Sequence, residues 1–178
     1  MPIGEKYYDT ERLWLEPLVA GHAAELFEIY SDYRMYSFIP QEPPLTVEAL
    51  AERFRFLEAR QSPDGAEGWF NWAVRQKEGR QCLGVVQVTL EADGRALMAY
   101  EFGVQFWRHG FATEACQRVI EALFTAGVPE VRAECDTRNL ASMKLLERLG
   151  FKRGEMKVNA DFFKGASSDE YCYVLTRA

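Results

Sequence analysis

Phe106-Trp107-Arg108-His109-Gly110-Phe111-Ala112-Thr113-Glu114-Ala115 carries a short basic loop with one glycine directly into an amphipathic helical pattern. The first backbone N–H groups of a helix have no intrahelical acceptor, and the helix dipole adds positive character there. Such an end suits an anion. Gly110 permits a bend and a close approach, and Ala112 leaves room against the first turn. Arg108 and His109 add positive character in an acidic chain. The stretch reads as a cradle for a pyrophosphate, and hence for a nucleotide-type cofactor. A plain connecting loop is the other reading of the segment taken alone.

Upstream lie three β-rich runs, Trp69–Arg75, Cys82–Leu90 and Ala96–Val104, separated by the turns Lys77–Arg80 and Ala92–Gly94. Their spacing predicts an antiparallel meander. Further upstream, Glu11–Pro17 alternates as a strand, and His22–Tyr30 puts Ala23, Leu26, Phe27 and Tyr30 on one helical face. Thr46 reads as the N-cap of a helix carrying Leu50, Phe54 and Leu57. Downstream come a helix from Phe111 to Ala126, a strand Pro129–Cys135, and a helix Asn139–Leu149 closed by Gly150. Strands Lys152–Asn159 and Glu170–Thr176 follow, with a polar loop at Gly165–Ser168 between them. The whole predicts one α+β domain over residues 1–178, with about seven strands in a mixed, mostly antiparallel sheet and about four flanking helices.

The 178 residues suffice for a sizeable core, and a hydrophobic fraction of 48% excludes a disordered chain. A net charge of −6 argues against nucleic-acid or anionic-membrane partners and suits a cationic acceptor such as an amine. Cys82, Cys116, Cys135 and Cys172 lie far apart with no metal-ligand spacing, so no metal is expected. No secretory leader or membrane-length apolar run is read, and a cytoplasmic protein is expected, as a monomer or homodimer.

Four segments together resemble the GNAT acetyltransferases, and within them the RimJ/RimL-like branch. Trp107–Ala115 is similar to that branch's W-G-K-G-Y-A-T-E-A cofactor motif. Thr10-Glu11-Arg12-Leu13-Trp14-Leu15-Glu16-Pro17-Leu18 is similar to its opening strand, T-E-R-L-x-L-R-P-L. Asn139-Leu140-Ala141-Ser142 and Leu145–Phe151 match its N-x-x-S…L-L-E-K-L-G-F helix, and the three strands precede the cradle as they do in the family.

The resemblance implies a GNAT acyl-CoA N-acyltransferase fold and acetyl-CoA as acyl donor. It implies that backbone N–H groups of Arg108, His109, Gly110, Phe111, Ala112 and Thr113 hold the pyrophosphate, with Trp107 also at the cofactor. The strand end Phe102-Gly103-Val104 would splay from Val131–Cys135, with pantetheine between them and the Phe102 N–H on the thioester carbonyl. Asn139 would bond the pantetheine amide. Many members protonate the departing thiolate with a tyrosine, but that position is Leu146 here. Ser142 is then the candidate acid, with a plain first-turn residue as its bland alternative. Glu101 is the candidate base, against a solvated strand carboxylate or a water chain. Cys135 lacks a paired histidine, so direct transfer is expected rather than a covalent intermediate.

An α-amine, of pKa about 7.7–8.0, reaches its neutral form at pH 7 for about 1 kcal/mol; a lysine amine costs about 5. A site without a strong base therefore suits the N-terminal α-amine of a protein or peptide. A small amine, polyamine or aminoglycoside-like, is the alternative acceptor, and a non-catalytic acyl-CoA-binding regulator is the alternative outside enzymes. Arg34–Pro40 and Asp161–Lys164 are the candidate acceptor walls, or else core and loop anchors. His22 reads as a surface residue.

Overall fold

The computed structural model describes residues 3–177. In chain order the elements are β1 (Tyr8–Asp9), β2 (Leu13–Pro17), α1 (Ala23–Tyr30), α2 (Val47–Leu57), β3 (Gly68–Gln76) and β4 (Cys82–Leu90). They continue as β5 (Ala96–Phe102), α3 (Phe111–Thr125), β6 (Glu130–Asp136), α4 (Leu140–Arg148), β7 (Lys152–Phe163) and β8 (Ala166–Thr176). The eight strands form one open sheet in the order β1-β2-β3-β4-β5-β6-β8-β7. β5 and β6 are its parallel pair, and the other neighbours are antiparallel.

Strand alternation sends the core to both faces. Trp72, Val74, Val86, Val88 and Met98 pack with Phe111, Val119, Leu123 and Leu146 of α3 and α4. Ala73 and Val85, one residue out of phase, pack with Leu26, Tyr30, Leu50 and Phe54 of α1 and α2. The result is a helix–sheet–helix sandwich. Each fully buried Leu or Val contributes about 1.5–3 kcal/mol, so both helix pairs are pinned by their apolar stripes.

Helix ends follow local chemistry. Thr46 Oγ1 accepts the Ala49 N–H, and Asn139 Oδ1 accepts the Ser142 N–H at 3.1 Å. Gly150, at φ +91°, ends α4: its N–H donates to the Glu147 carbonyl and the Phe151 N–H to that of Leu146.

The expected fold of about seven strands is met with one more, and two other sequence expectations need correction. Tyr8–Asp9 adds an eighth strand, too short for a periodic signal. The expected loop at 165–168 is not a loop. Lys164 and Gly165, at φ +51° and +76°, make a two-residue turn, and pairing runs on to Phe163↔Ala166. His22 is buried rather than on the surface: its Nδ1 accepts the Val19 N–H, and its Nε2 lies 3.0 Å from Glu16.

Candidate active site

β5 and β6 pair only at Ala96↔Val131 and Leu97↔Arg132. Beyond that point β5 stays with β4 to Gly84↔Phe102, and β6 stays with β8 to Asp136↔Glu170. The two strands therefore diverge, leaving a wedge between edges that no strand fills. The Gly103 N–H donates to the Leu83 carbonyl at 2.9 Å. Alternation along the ladder turns the N–H and carbonyl of Phe102 the other way, into the wedge. Trp107 Nε1 donates to that carbonyl at 2.8 Å. The Phe102 N–H is left facing the gap as a donor.

Gly84 sets this edge. A Cβ there would lie 2.1 Å from the Glu101 carbonyl oxygen, so only glycine lets β4 approach the end of β5. The strand itself stops at Phe102, and Val104–Phe106 form a 3₁₀ turn under the loop. Gly103 is packed against Ile29 of α1.

Above the wedge stands the 107–113 loop. Gly110 precedes α3 in the left-handed region, at φ +81°, with no side-chain cap. The first helical bond is Glu114 N–H to the Gly110 carbonyl, which leaves the N–H groups of Phe111, Ala112 and Thr113 without an intrahelical acceptor. Arg108 is also left-handed, at φ +64°, and exposed. The His109 ring stacks on Phe111 with Nδ1 2.8 Å from the Trp107 carbonyl oxygen, so it braces the loop.

A second brace was invisible to motif reading. Arg12 Nη1 donates to the His109 carbonyl at 3.0 Å, and its guanidinium sits 4.6 Å over the Phe111 ring. Thr10 Oγ1 and the Arg12 N–H and Nε all donate to Glu114 in the first turn of α3. The only sequence hint was that both segments belonged to the same resemblance.

On the α1/α2 side of the wedge lies Glu101. It is 8% exposed, and its Oε1 is 3.7 Å from Arg53 Nη2 of α2. Its Oε2 is buried toward the Tyr30 hydroxyl, and among the described residues neither atom has another hydrogen-bond partner. The carboxylate faces Tyr30 and Tyr36. Burial, then the Glu101 charge, hold the Tyr30 phenol well above its ordinary value and push Tyr36 up to about 12. Both tyrosines therefore keep their protons. Glu101 is not the solvated strand carboxylate that was its bland alternative.

Ser142 lies on the opposite, α3/α4 side. Its Oγ is 2.6 Å from the Tyr100 hydroxyl, across from β5. Asn139 caps α4 with its side-chain oxygen, which leaves its amide nitrogen for another partner. Leu146, 1% exposed, is core. Burial holds the Cys135 thiol above its usual value, and it donates to the carbonyls of Asp136 and Asn139 at 3.5 and 3.7 Å. That is a poor setting for a nucleophile.

At the mouth, Lys164 donates to the Tyr36 carbonyl and sits 4.7 Å over Tyr33. Arg138 lies 6.0 Å from both Phe38 and Phe163 and is held by Asp136. The 33–38 segment and the β7–β8 turn thus meet across the site. Arg53 and Arg138 are site residues that the sequence did not single out, since surface arginines carry no periodic signal. Among the described residues no cluster of three or more His, Cys, Asp or Glu could hold a metal, and no helix is long and apolar enough to cross a membrane.

The comparisons agree with this geometry. The family model described as "Acetyltransferase (GNAT) domain" matches residues 12–152. The chain is 27% identical over 171 residues to an uncharacterized N-acetyltransferase, p20, of Bacillus licheniformis, covering 94% of each. In fold it is similar to microcin C7 self-immunity acetyltransferase MccE, solved with acetyl-CoA and AMP, at TM-score 0.83, 18% identity and 94% of each chain. It is likewise similar to the ribosomal-protein-S5-alanine acetyltransferase of Vibrio fischeri, at TM-score 0.82, 17% identity and 96% of each chain. With a wedge, an uncapped helix start beside it and a family match over most of its length, the chain belongs to the GNAT acetyltransferases and is an acyltransferase enzyme.

Proposed function

We propose that this enzyme transfers acetyl from acetyl-CoA directly to an amine, as one N-acetyltransferase domain of the RimJ/RimL-like kind acting in the cytoplasm. The observation that carries the reading is the divergence of β5 and β6, with Glu101 on one side and Ser142 on the other. The wedge suits an extended pantetheine arm. The α3 start and the 107–113 backbone suit its pyrophosphate. A side chain at Gly110 would crowd Arg12, 3.3 Å from its Nη2, and so disturb the brace under that backbone.

The amine nitrogen, approaching from the α1/α2 side, attacks the acetyl carbon. The Phe102 N–H stabilises the oxyanion as it forms. Glu101 accepts the proton lost by nitrogen. The C–S bond then breaks with its electron pair on sulfur, and the Ser142 hydroxyl is the donor that hydrogen-bonds the departing thiolate.

The acceptor we favour is the N-terminal α-amine of a protein or peptide, because a carboxylate base suffices at its low pKa. One observation favours a small amine instead: Lys164 and Arg138 bridge the mouth, which narrows entry for a chain. Free-thiol release from acetyl-CoA, followed with N-terminal peptides and then with polyamines and aminoglycosides, tests both. Turnover of peptides supports the first reading and turnover of small amines alone the second. Acetyl-CoA binding with no thiol release from any amine rejects transfer altogether.

A further inference from the structure

Tyr100 projects from β5 to the α3/α4 side, and its hydroxyl lies 2.6 Å from Ser142 Oγ. We infer that Tyr100 is a positioning residue, whose hydroxyl donates to Ser142 Oγ and so turns the Ser142 proton toward the thioester sulfur. The inference rests on the reading of Ser142 as the donor to sulfur.

The direction of the bond follows from the chemistry of the pair. A phenol is more acidic than an aliphatic hydroxyl, so it is the better donor between the two. A serine oxygen accepts one bond and still has its own proton to give. Burial, and behind it the Cys116 thiol, hold the Tyr100 phenol well above its ordinary value. It therefore stays protonated and keeps its O–H to donate to Ser142 Oγ. The Cys135 thiol nearby donates to the carbonyls of Asp136 and Asn139, and its sulfur also lies within reach of the Ser142 hydroxyl. When the C–S bond breaks with its electron pair on sulfur, Ser142 Oγ–H, held by the Tyr100 bond, hydrogen-bonds the developing thiolate. The sulfur takes its proton from solvent on release.

A test needs no acceptor, because CoA itself carries the thiol. A donor aimed at sulfur favours bound thiolate over bound thiol. CoA affinity should then rise between pH 6.5 and 9.5, across a free-thiol pKa of about 8.5. Acetyl-CoA has no ionisable sulfur and serves as the control. Calorimetry on wild type, Tyr100→Phe and Ser142→Ala reads each profile. The expected result is a rise of about tenfold in wild type, the size of one hydrogen bond to a charged acceptor. That rise should be lost in Ser142→Ala and mostly lost in Tyr100→Phe, with acetyl-CoA affinity unchanged in both.

A Tyr100→Phe profile equal to wild type, with Ser142→Ala flat, overturns the role of Tyr100 and leaves that of Ser142 standing. A Ser142→Ala profile equal to wild type overturns both. A loss of acetyl-CoA affinity in Tyr100→Phe equal to its loss of CoA affinity makes Tyr100 a packing residue and overturns the inference.

Discussion

Arg12 and Glu114, 102 residues apart in the chain, are joined twice: Arg12 Nε donates to Oε2 at 2.7 Å and the Arg12 N–H to Oε1 at 2.9 Å. Glu114 stands in the first turn of α3, where an unpaired carboxylate would repel a bound anion. Pairing removes that repulsion and ties the start of β2 to the cradle. Arg12→Ala should raise the KM for acetyl-CoA about five- to fiftyfold, the size of one or two charged hydrogen bonds. S-acetylpantetheine, which lacks the pyrophosphate, should be used nearly as well as by wild type. Equal losses with both donors would place the effect in the fold rather than in the cradle.

The same pair predicts a pH dependence of stability. Burial pushes the Glu114 carboxyl up, but the bonds from Thr10 and Arg12 outweigh it and hold it below its ordinary value. A depressed folded value stabilises above the unfolded pKa of about 4.3 and loses that contribution as pH falls through the folded value. Thermal unfolding of wild type and Glu114→Gln should therefore differ most near neutral pH. The gap should shrink on acidification below about pH 4. A constant gap would remove Glu114 ionisation from the account.

Gly110 tests the cradle itself. Its φ of +81° disfavours any side chain, and a Cβ there would lie 3.3 Å from Arg12 Nη2, which braces the loop. Gly110→Val should cost about 1–2 kcal/mol of stability from backbone strain. CoA should also bind at least about tenfold more weakly by calorimetry, through loss of donors at the helix start. Unchanged CoA affinity in a folded variant would sink the cradle assignment.

Glu101→Gln keeps the shape and removes the charge. As proposed base, Glu101 should take about a hundredfold or more from kcat when it is neutralised. Acetyl-CoA affinity should hold, since the cradle and wedge edges are untouched. Stability should change little, because the loss of the Arg53 ion pair is offset by the removal of a buried charge. Steady-state rates beside a melting curve decide it; full activity returns Glu101 to a structural role.

Ser142→Ala should lower kcat about ten- to a thousandfold, with little change in acetyl-CoA binding. Leaving-group assistance is partial because a thiolate of pKa about 8.5 departs tolerably by itself. Parent-rate turnover by Ser142→Ala on an amine that wild type acetylates would send the search for the acid elsewhere.

Much of the architecture was legible because its signals are local. Alternation marked β2 to β5, apolar spacing marked α1 to α4, and Thr46, Asn139, Gly110 and Gly150 marked helix ends. β1 escaped because two residues have no period. The β7–β8 turn escaped because Lys164 adopts a left-handed conformation that lysine does not advertise.

What the sequence determined by itself was the order of elements from β2 onward, the GNAT family, and the glycine-led start of α3 that the proposed cradle uses. These depend on residue type and spacing along one stretch of chain. Which side chains meet was decided only by the tertiary structure. Glu101 and Tyr100 are neighbours in sequence, yet strand alternation sends one to Arg53 and the other to Ser142. Arg12 reaches Glu114, and Lys164 reaches the Tyr36 carbonyl, across distances no local pattern encodes. The wedge exists because β6 follows β8 while β5 follows β4, and no short segment contains that divergence.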